Sequence, residues 1–287
     1  MCIRRATRAD CRGGRGLPYG RRVRLANEQT AEKMLPNRMK SKIAGGEPVF
    51  GVSVMFPSPQ VVEMIGELGF DWVLIDCEHG SMTPESAELM CLAAERHGMT
   101  PIVRPEANRP EVLMRYLDRG AMGLQVPHVN TRAEALAAVR ATRYHPLGDR
   151  GLARGQRSTG YGLAGGSIAD YTAASNRETL VCVQIEEKEA LDNLGEILTV
   201  DGVDVFFIGP TDLSQSLGYP GQRDHPVVRR AVEAAFDQIR AAGKASGTTC
   251  SADDVAANVK KGILYHYTHV ASFMAYYGRH FLKQAGR

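Results

Sequence analysis

The side chains able to do chemistry gather at the ends of short apolar runs. Asp76-Cys77-Glu78-His79-Gly80 follows one run, Arg104-Pro105 the next and Pro127-His128 the one after. Gln184-Ile185-Glu186 closes a further run and Gly209-Pro210-Thr211-Asp212 another, while the interiors of the runs hold few polar residues. Glu186 and Asp212 stand 26 residues apart, one strand–helix–strand step, so adjacent parallel strands would bring both carboxylates to one rim. Two carboxylates with open positions suit a hard divalent ion such as Mg²⁺ or Mn²⁺, completed by water or a chelating substrate. Both residues also precede helical stretches, where acids are favoured without any metal. Spacing leaves the two roles open.

The other candidates are read in the same way. Arg104 at a strand end suits a developing oxyanion or a carboxylate, and equally a salt bridge to a neighbouring acid. His79 follows two acids and is the side chain that titrates near neutrality, although a lone histidine also serves as a structural hydrogen-bonder. Asp118 ends a helical stretch against the helix dipole, which is a reason to look for a partner such as His79. Lysine is informative by position. Schiff-base chemistry needs a lysine at the C-terminal end of a strand, but Lys188 lies in a helical first turn and Lys244 begins a strand candidate.

These residues need a frame that brings strand ends together. Strand candidates fall at 48–54, 71–76, 100–104, 121–126, 179–186, 203–209, 244–249 and 262–267. Helical patterns alternate with them at 61–68, 85–97, 110–118, 132–142, 188–198, 226–242, 253–261 and 270–284. The runs are near-continuously apolar, as in parallel strands buried on both faces. Eight strand–helix units predict an α/β fold of the (β/α)₈ barrel type, with the site at the C-terminal ends of the strands. No G-x-G-x-x-G follows the first strand, which disfavours an open dinucleotide-binding sheet. The one long loop is 145–166.

Composition narrows the class further. The chain has 287 residues, 44% of them hydrophobic, with a formal charge of +3. Residues 1–38 carry +7 of it and the remainder −4, so the body is mildly acidic and offers no basic surface for nucleic acid. The Arg- and Gly-rich start predicts a disordered extension over 1–36, or a start at Met34 or Met39, ahead of a barrel domain over 37–287. It has neither a secretory apolar stretch nor the Ser-rich pattern of a transit peptide. No run approaches a membrane span. Six scattered cysteines without a C-x-x-C pair indicate reduced thiols and a cytoplasmic protein.

The motifs GFDWVLIDCEHG (69–80), PIVRP (101–105), YLDRGAMGLQVPHV (116–129), VCVQIEEKEAL (181–191) and VDVFFIGPTDLSQSLGYPG (203–221) resemble, in this order, the HpcH/HpaI family of class II pyruvate aldolases. The resemblance implies a divalent metal, Mg²⁺ or Mn²⁺ with Co²⁺ as a further candidate, held by Glu186 and Asp212. It also implies an enolate-stabilising Arg104, a His79–Asp118 catalytic dyad, Gln184 near the substrate, and the Thr211 and Asp212 amides meeting the pyruvate carboxylate. The implied reaction is reversible aldol cleavage of a 4-hydroxy-2-oxo acid to pyruvate and an aldehyde. Partners are then a small-molecule 2-oxo acid and an aldehyde, and the implied assembly is a homo-trimer or homo-hexamer that sometimes exchanges its last helix.

Two segments depart from the family pattern. Tyr265-His266-Tyr267-Thr268-His269 stands where a Gly- and Asp-containing segment is more usual; His266 and His269 are at the rim to touch a substrate, although a histidine pair three apart more often serves structure. In the loop 145–166, Arg154, Arg157 and Tyr161 are candidate contacts for the aldehyde. Three other functions compete: a CoA-ester lyase of the citrate-lyase β or malyl-CoA type, a nucleic-acid binder using the Arg-rich arm, and an inactive barrel used for assembly.

Overall fold

A computed structural model describes residues 35–163 and 165–287. The Arg-rich extension expected over 1–36 lies outside the described residues up to Met34, as do Cys2 and Cys11. Eight parallel strands close into a barrel in chain order. They are β1 (Val49–Val54), β2 (Trp72–Asp76), β3 (Thr100–Arg104), β4 (Gly123–Val126), β5 (Leu180–Ile185), β6 (Val205–Ile208), β7 (Ser246–Thr249) and β8 (Tyr265–His269). Helix α1 (Arg38–Ala44) precedes β1, and α2 (Pro59–Glu67), α3 (Pro84–Arg96), α4 (Pro110–Asp118) and α5 (Arg132–Thr142) follow the first four strands. A 3₁₀ turn at Arg157–Gly162 and α6 (Ile168–Glu178) come before β5. The chain continues through α7 (Lys188–Asp192), α8 (Leu194–Ile197), α9 (Pro210–Ser216), α10 (Pro226–Ala241), α11 (Val255–Lys260) and α12 (Val270–Gln284).

The helices start where their sequences provide a cap. Ser58, Thr83 and Thr131 each accept from a first-turn amide, and Thr83–Ser86 and Thr131–Glu134 form reciprocal capping boxes. Proline opens α2, α3, α4, α9 and α10, where its missing N–H costs nothing. Strand alternation divides the core in two. One cluster, including Val73, Ile75, Val103, Leu124 and Val183, packs the strands against the helices. The other fills the barrel with Trp72, Leu74, Ile102, Cys182, Val205, Phe207, Tyr265 and Tyr267, and Met39 and Ile43 of α1 plug its N-terminal end. Gly51 is required here, because a Cβ would stand 2.3 Å from the Trp72 ring.

Three helices were not legible. Helix α6 buries only Ala174 and Ser175, too little for an apolar stripe, and α9 has seven residues beginning at a Gly-Pro turn. Helix α1 is a plug, with Met39 and Ile43 as its only buried residues. The helix expected over 188–198 is broken at Asn193, whose amide donates to the Asn130 carbonyl at 2.9 Å. The eighth strand runs two residues further than expected, pairing His269 with Ser53.

Candidate active site

Period-two alternation puts Asp76, Arg104, Gln125 and Gln184 on the same inward side as the barrel-filling residues, at successive strands of the C-terminal mouth. Asp76 and Arg104 are register partners on β2 and β3. The Arg104 guanidinium forks onto Asp76, Nε to Oδ1 at 2.9 Å and Nη2 to Oδ2 at 2.5 Å, with both side chains buried. Nε also lies 3.2 Å from Glu78 Oε2. Burial alone would lower the Arg104 pKa, but the hydrogen bonds and charges of Asp76 and Glu78 raise it, so the cation is held. Its Nη1 reaches toward Gln184 Oε1 at 3.5 Å. Arg104 therefore makes the salt bridge and still directs one nitrogen into the mouth.

Glu186 stands just beyond β5 and is buried, accepting from the His128 amide at 2.9 Å and from Gln184 Nε2 at 2.6 Å. The carboxylate can only accept, which fixes the Gln184 amide. Gln184 Oε1 must then accept from Gln125 Nε2, and Gln125 Oε1 must accept from the Tyr265 hydroxyl at 2.8 Å. A relay of determined polarity thus runs from Tyr265 inside the barrel to Glu186 at its mouth. Asp212 lies exposed in the first turn of α9, whose N-terminus has no side-chain cap. Gly209 separates the two acids: a Cβ there would stand 3.1 Å from Glu186 Oε2 and 3.9 Å from Asp212 Oδ2. Both carboxylates face one small space beside Gly209, where a Cβ would fit only tightly.

His79 is half exposed at the mouth, 3.8 Å from Glu78 Oε2, with its amide donating to Asp76. Thr211 is exposed beside Asp212. The expected His79–Asp118 pair does not form within one chain. Helix α4 runs from the mouth to the N-terminal face and carries Asp118 to its far end, where Oδ1 accepts from Arg150 Nη2 at 2.7 Å. That arginine is the partner an acid at a helix C-terminus needs.

Two further expectations are corrected. The segment 145–163 follows α5 and so belongs to the N-terminal face, where Arg157 forks onto Glu95 at 3.0 and 2.5 Å. Arg154, Arg157 and Tyr161 consequently do not line the mouth of their own chain. His266 points away from the barrel interior, stacked on Phe50 with Nε2 2.8 Å from the Ile263 carbonyl. His269 is the member of that pair that reaches the mouth, packed edge-on against Tyr267. Burial and the nearby Arg104 lower its pKa.

Sequence reasoning passed over Glu78, His128 and Gln125 as site residues. Burial raises the Glu78 pKa, Arg104 opposes the shift and Glu186 adds to it. His128 Nδ1 lies 2.8 Å from Glu187 Oε1 and Nε2 lies 3.1 Å from Glu78 Oε1. Burial would lower the His128 pKa, but Glu187, Glu186 and Glu78 together raise it. The available signal was Pro127-His128 at a strand end, which as a lone histidine carried little weight. Cys77 is buried, which pushes its thiol up to about 12 and makes it inert near neutral pH.

A closed barrel whose mouth gathers acids around one forked arginine is compatible with a carbon–carbon lyase, and the comparisons assign that class. The model of the HpcH/HpaI aldolase/citrate lyase family matches residues 51–271. A 2-keto-3-deoxy-L-rhamnonate aldolase of Escherichia coli (strain K12) is 39% identical over 223 residues, covering 78% of this chain and 82% of the relative. An HpcH/HpaI aldolase/citrate lyase family protein from Burkholderia cenocepacia J2315 superposes with a TM-score of 0.82 at 29% identity, covering 88% of this chain and 100% of that one. An HpcH/HpaI aldolase from Desulfitobacterium hafniense DCB-2 gives 0.79 at 27%, covering 86% and 95%. The chain belongs to the HpcH/HpaI aldolase/citrate lyase family, and it is a metal-dependent aldolase. Among the described residues no helix is long and apolar enough to cross a membrane.

Proposed function

We propose that the enzyme reversibly cleaves a 4-hydroxy-2-oxo acid of the 2-keto-3-deoxy sugar-acid class to pyruvate and an aldehyde. The observation that carries this reading is the pair Glu186 and Asp212 facing one space across Gly209, beside the charged Arg104. The identity to a sugar-acid aldolase over most of both chains favours it over the CoA-ester alternative.

The residues fit a divalent ion. Glu186 and Asp212 turn carboxylate oxygens toward the space beside Gly209, Glu78 and His128 offer ligand atoms next to Glu186, and oxygen donors predominate. Glu186 and Asp212 would hold Mg²⁺ or Mn²⁺, with Co²⁺ as a further candidate. When bound, the ion supplies Lewis-acid polarisation of the substrate's 2-oxo group.

The chain's own groups do the rest. The first-turn amides of Thr211 and Asp212 have no intrahelical acceptor and receive the substrate carboxylate. Arg104 Nη1, held by the fork on Asp76, donates to the oxygen on which negative charge develops. Gln184 holds Glu186 in place and borders the 2-oxo group. His79 accepts the proton of the 4-hydroxyl, directly or through one water. The C3–C4 electron pair then passes into the enolate as the aldehyde carbonyl forms, and protonation of C3 gives pyruvate. Residues 37–287 constitute the catalytic domain. Asp118 can orient His79 only from a neighbouring copy, which fits a homo-trimer or homo-hexamer. The free thiols at Cys77, Cys91, Cys182 and Cys250 support a cytoplasmic setting.

Pyruvate release over a panel of hydroxy-oxo acids, before and after chelation and with Mn²⁺ or Mg²⁺ restored, tests the reading. Metal-dependent release from a 2-keto-3-deoxy sugar acid is expected. Undiminished release after chelation overturns it.

A further inference from the structure

His128 has the one feature of the mouth that the aldolase reading leaves unexplained. It is a non-glycine residue at φ +53°, a left-handed conformation that side chains other than Asn, Asp and His rarely adopt. Such backbone costs about 1–3 kcal/mol and persists where the surrounding structure demands it. Here two contacts demand it: the His128 amide donates to Glu186 Oε1 at 2.9 Å, and the ring stands between Glu187 and Glu78.

The ring is oriented as a metal-bound histidine is. Metal-ligating imidazoles almost always donate their other ring N–H to a carboxylate, which fixes the tautomer. Glu187 Oε1, 2.8 Å from Nδ1, is placed to receive that hydrogen, leaving a lone pair on Nε2. Nε2 faces Glu78 Oε1 at 3.1 Å, so the ring nitrogen and the carboxylate oxygen converge on one space. Glu78, His128 and Glu186 each offer a ligand atom, and these atoms lie within 4.8 Å of one another. Around an ion with bonds of about 2.1 Å, octahedral donors stand about 3 Å apart when adjacent and about 4.2 Å when opposite. The second oxygen of Glu78, Oε2, is turned to Arg104 Nε at 3.2 Å, which leaves Oε1 to face His128.

We propose that His128 Nε2 is a ligand of the divalent ion held by Glu186, with Glu78 as a flanking oxygen donor and Glu187 orienting the ring. The inference rests on the metal-dependent reading of the same mouth and adds to it a nitrogen donor. An imidazole among carboxylates moves preference from Mg²⁺, which is best served by oxygen, toward Mn²⁺ and Co²⁺.

The test uses the full chain, stripped of metal by chelation, with Mn²⁺ and Co²⁺ as probes. Pulsed electron paramagnetic resonance of Mn²⁺-loaded enzyme should show coupling to a directly bound ¹⁴N. His128→Asn tolerates the same backbone conformation and should lose the coupling. By calorimetry this variant should bind Co²⁺ about tenfold or more weakly, with a smaller change for Mg²⁺. Mn²⁺ bound at one equivalent without nitrogen coupling in the native enzyme overturns the proposal and leaves the metal reading standing. Unchanged Co²⁺ affinity in His128→Asn also overturns it. If the native enzyme binds no ion, or Glu186→Gln binds as tightly as the native chain, the metal reading falls with it.

Discussion

The two ends of the barrel use the same residue types to opposite ends. On the N-terminal face three arginines meet acids: Arg150 with Asp118, Arg157 with Glu95, Arg140 with Asp149. At the C-terminal mouth Arg104 is matched by Asp76 and also touches Glu78, and among the described residues Glu78, Glu186, Glu187 and Asp212 have no further arginine or lysine among their ion pairs. Among the described residues, the other basic groups that stand against these acids are His128 and His79. Paired charge closes a structure, whereas a surplus of one sign at a concave rim leaves a site for an ion of the other sign. Burial does not divide the two ends: the mouth keeps Arg104 on a fully buried aspartate and the other face buries Arg150, while Arg140 and Asp149 lie exposed, where a pair contributes little.

The sharpest way to break the comparison is to remove one surplus acid. Glu186→Gln should retain the fold, lose stoichiometric Mn²⁺ binding, and lower pyruvate release by about 10³-fold, the scale of several kcal/mol of transition-state stabilisation. Calorimetric titration with Mn²⁺ and a steady-state assay check both parts. A variant that binds and turns over as the native enzyme does would place the ion elsewhere.

Removing the matched cation should do the reverse and damage the fold first. Arg104→Met leaves the buried Asp76 without its fork, a loss of about 3–5 kcal/mol in stability. Thermal and urea denaturation should show it, whereas Asp76→Asn with Arg104→Met together should recover part of the loss without recovering activity. Recovery of activity in the double variant would confine Arg104 to a structural role.

How far the chain revealed this division depends on the range of the interactions. Strand ends were readable because near-continuous apolar runs stop where polar residues begin, and Arg104, Gln184, Glu186 and Asp212 all mark such stops. Which face a loop occupies was also implicit in the order of elements: a segment between a helix and the next strand lies at the N-terminal end. That rule places 145–163 away from the mouth, and Arg157 was read against it. Asp118 shows the harder limit. Its pairing with Arg150 spans 32 residues and depends on how the loop after α5 folds back, which no local periodicity encodes. Gln125 and Tyr265, separated by 140 residues, meet only because the barrel closes. His128 needed a backbone angle, and angles of that kind are set by what surrounds the residue.

Asp118 is also where the two ends can be made to speak to one another. Asp118→Asn removes the charge partner of a nearly fully buried Arg150, so stability should fall by about 1–3 kcal/mol. If a neighbouring copy's Asp118 orients His79, kcat should also fall by about 10²-fold at temperatures where the variant stays folded. The native enzyme should likewise lose activity on dilution below the concentration at which its assembly dissociates. A native kcat in Asp118→Asn would leave this residue wholly on the paired, structural side of the comparison.

The smallest expected effect lies between the two ends, in the relay that joins them. Tyr265 donates to Gln125, Gln125 to Gln184, and Gln184 to Glu186, so each amide has one orientation compatible with its neighbours. Cutting the relay at its middle with Gln125→Leu leaves Gln184 Oε1 with only the long contact from Arg104. The side chain fills similar volume in a buried position, so stability should change by about 1 kcal/mol, the net worth of a hydrogen bond. The informative readout is the metal: freed from one of its constraints, Glu186 should bind Mn²⁺ about tenfold more weakly, as when a ligand's supporting partner is lost. Tyr265→Phe, one step further away, should reproduce the direction with a smaller amplitude. Equal metal affinity in both variants would mean that Glu186 is positioned by the His128 amide and Gln184 alone, and that the polar chain through the barrel serves packing.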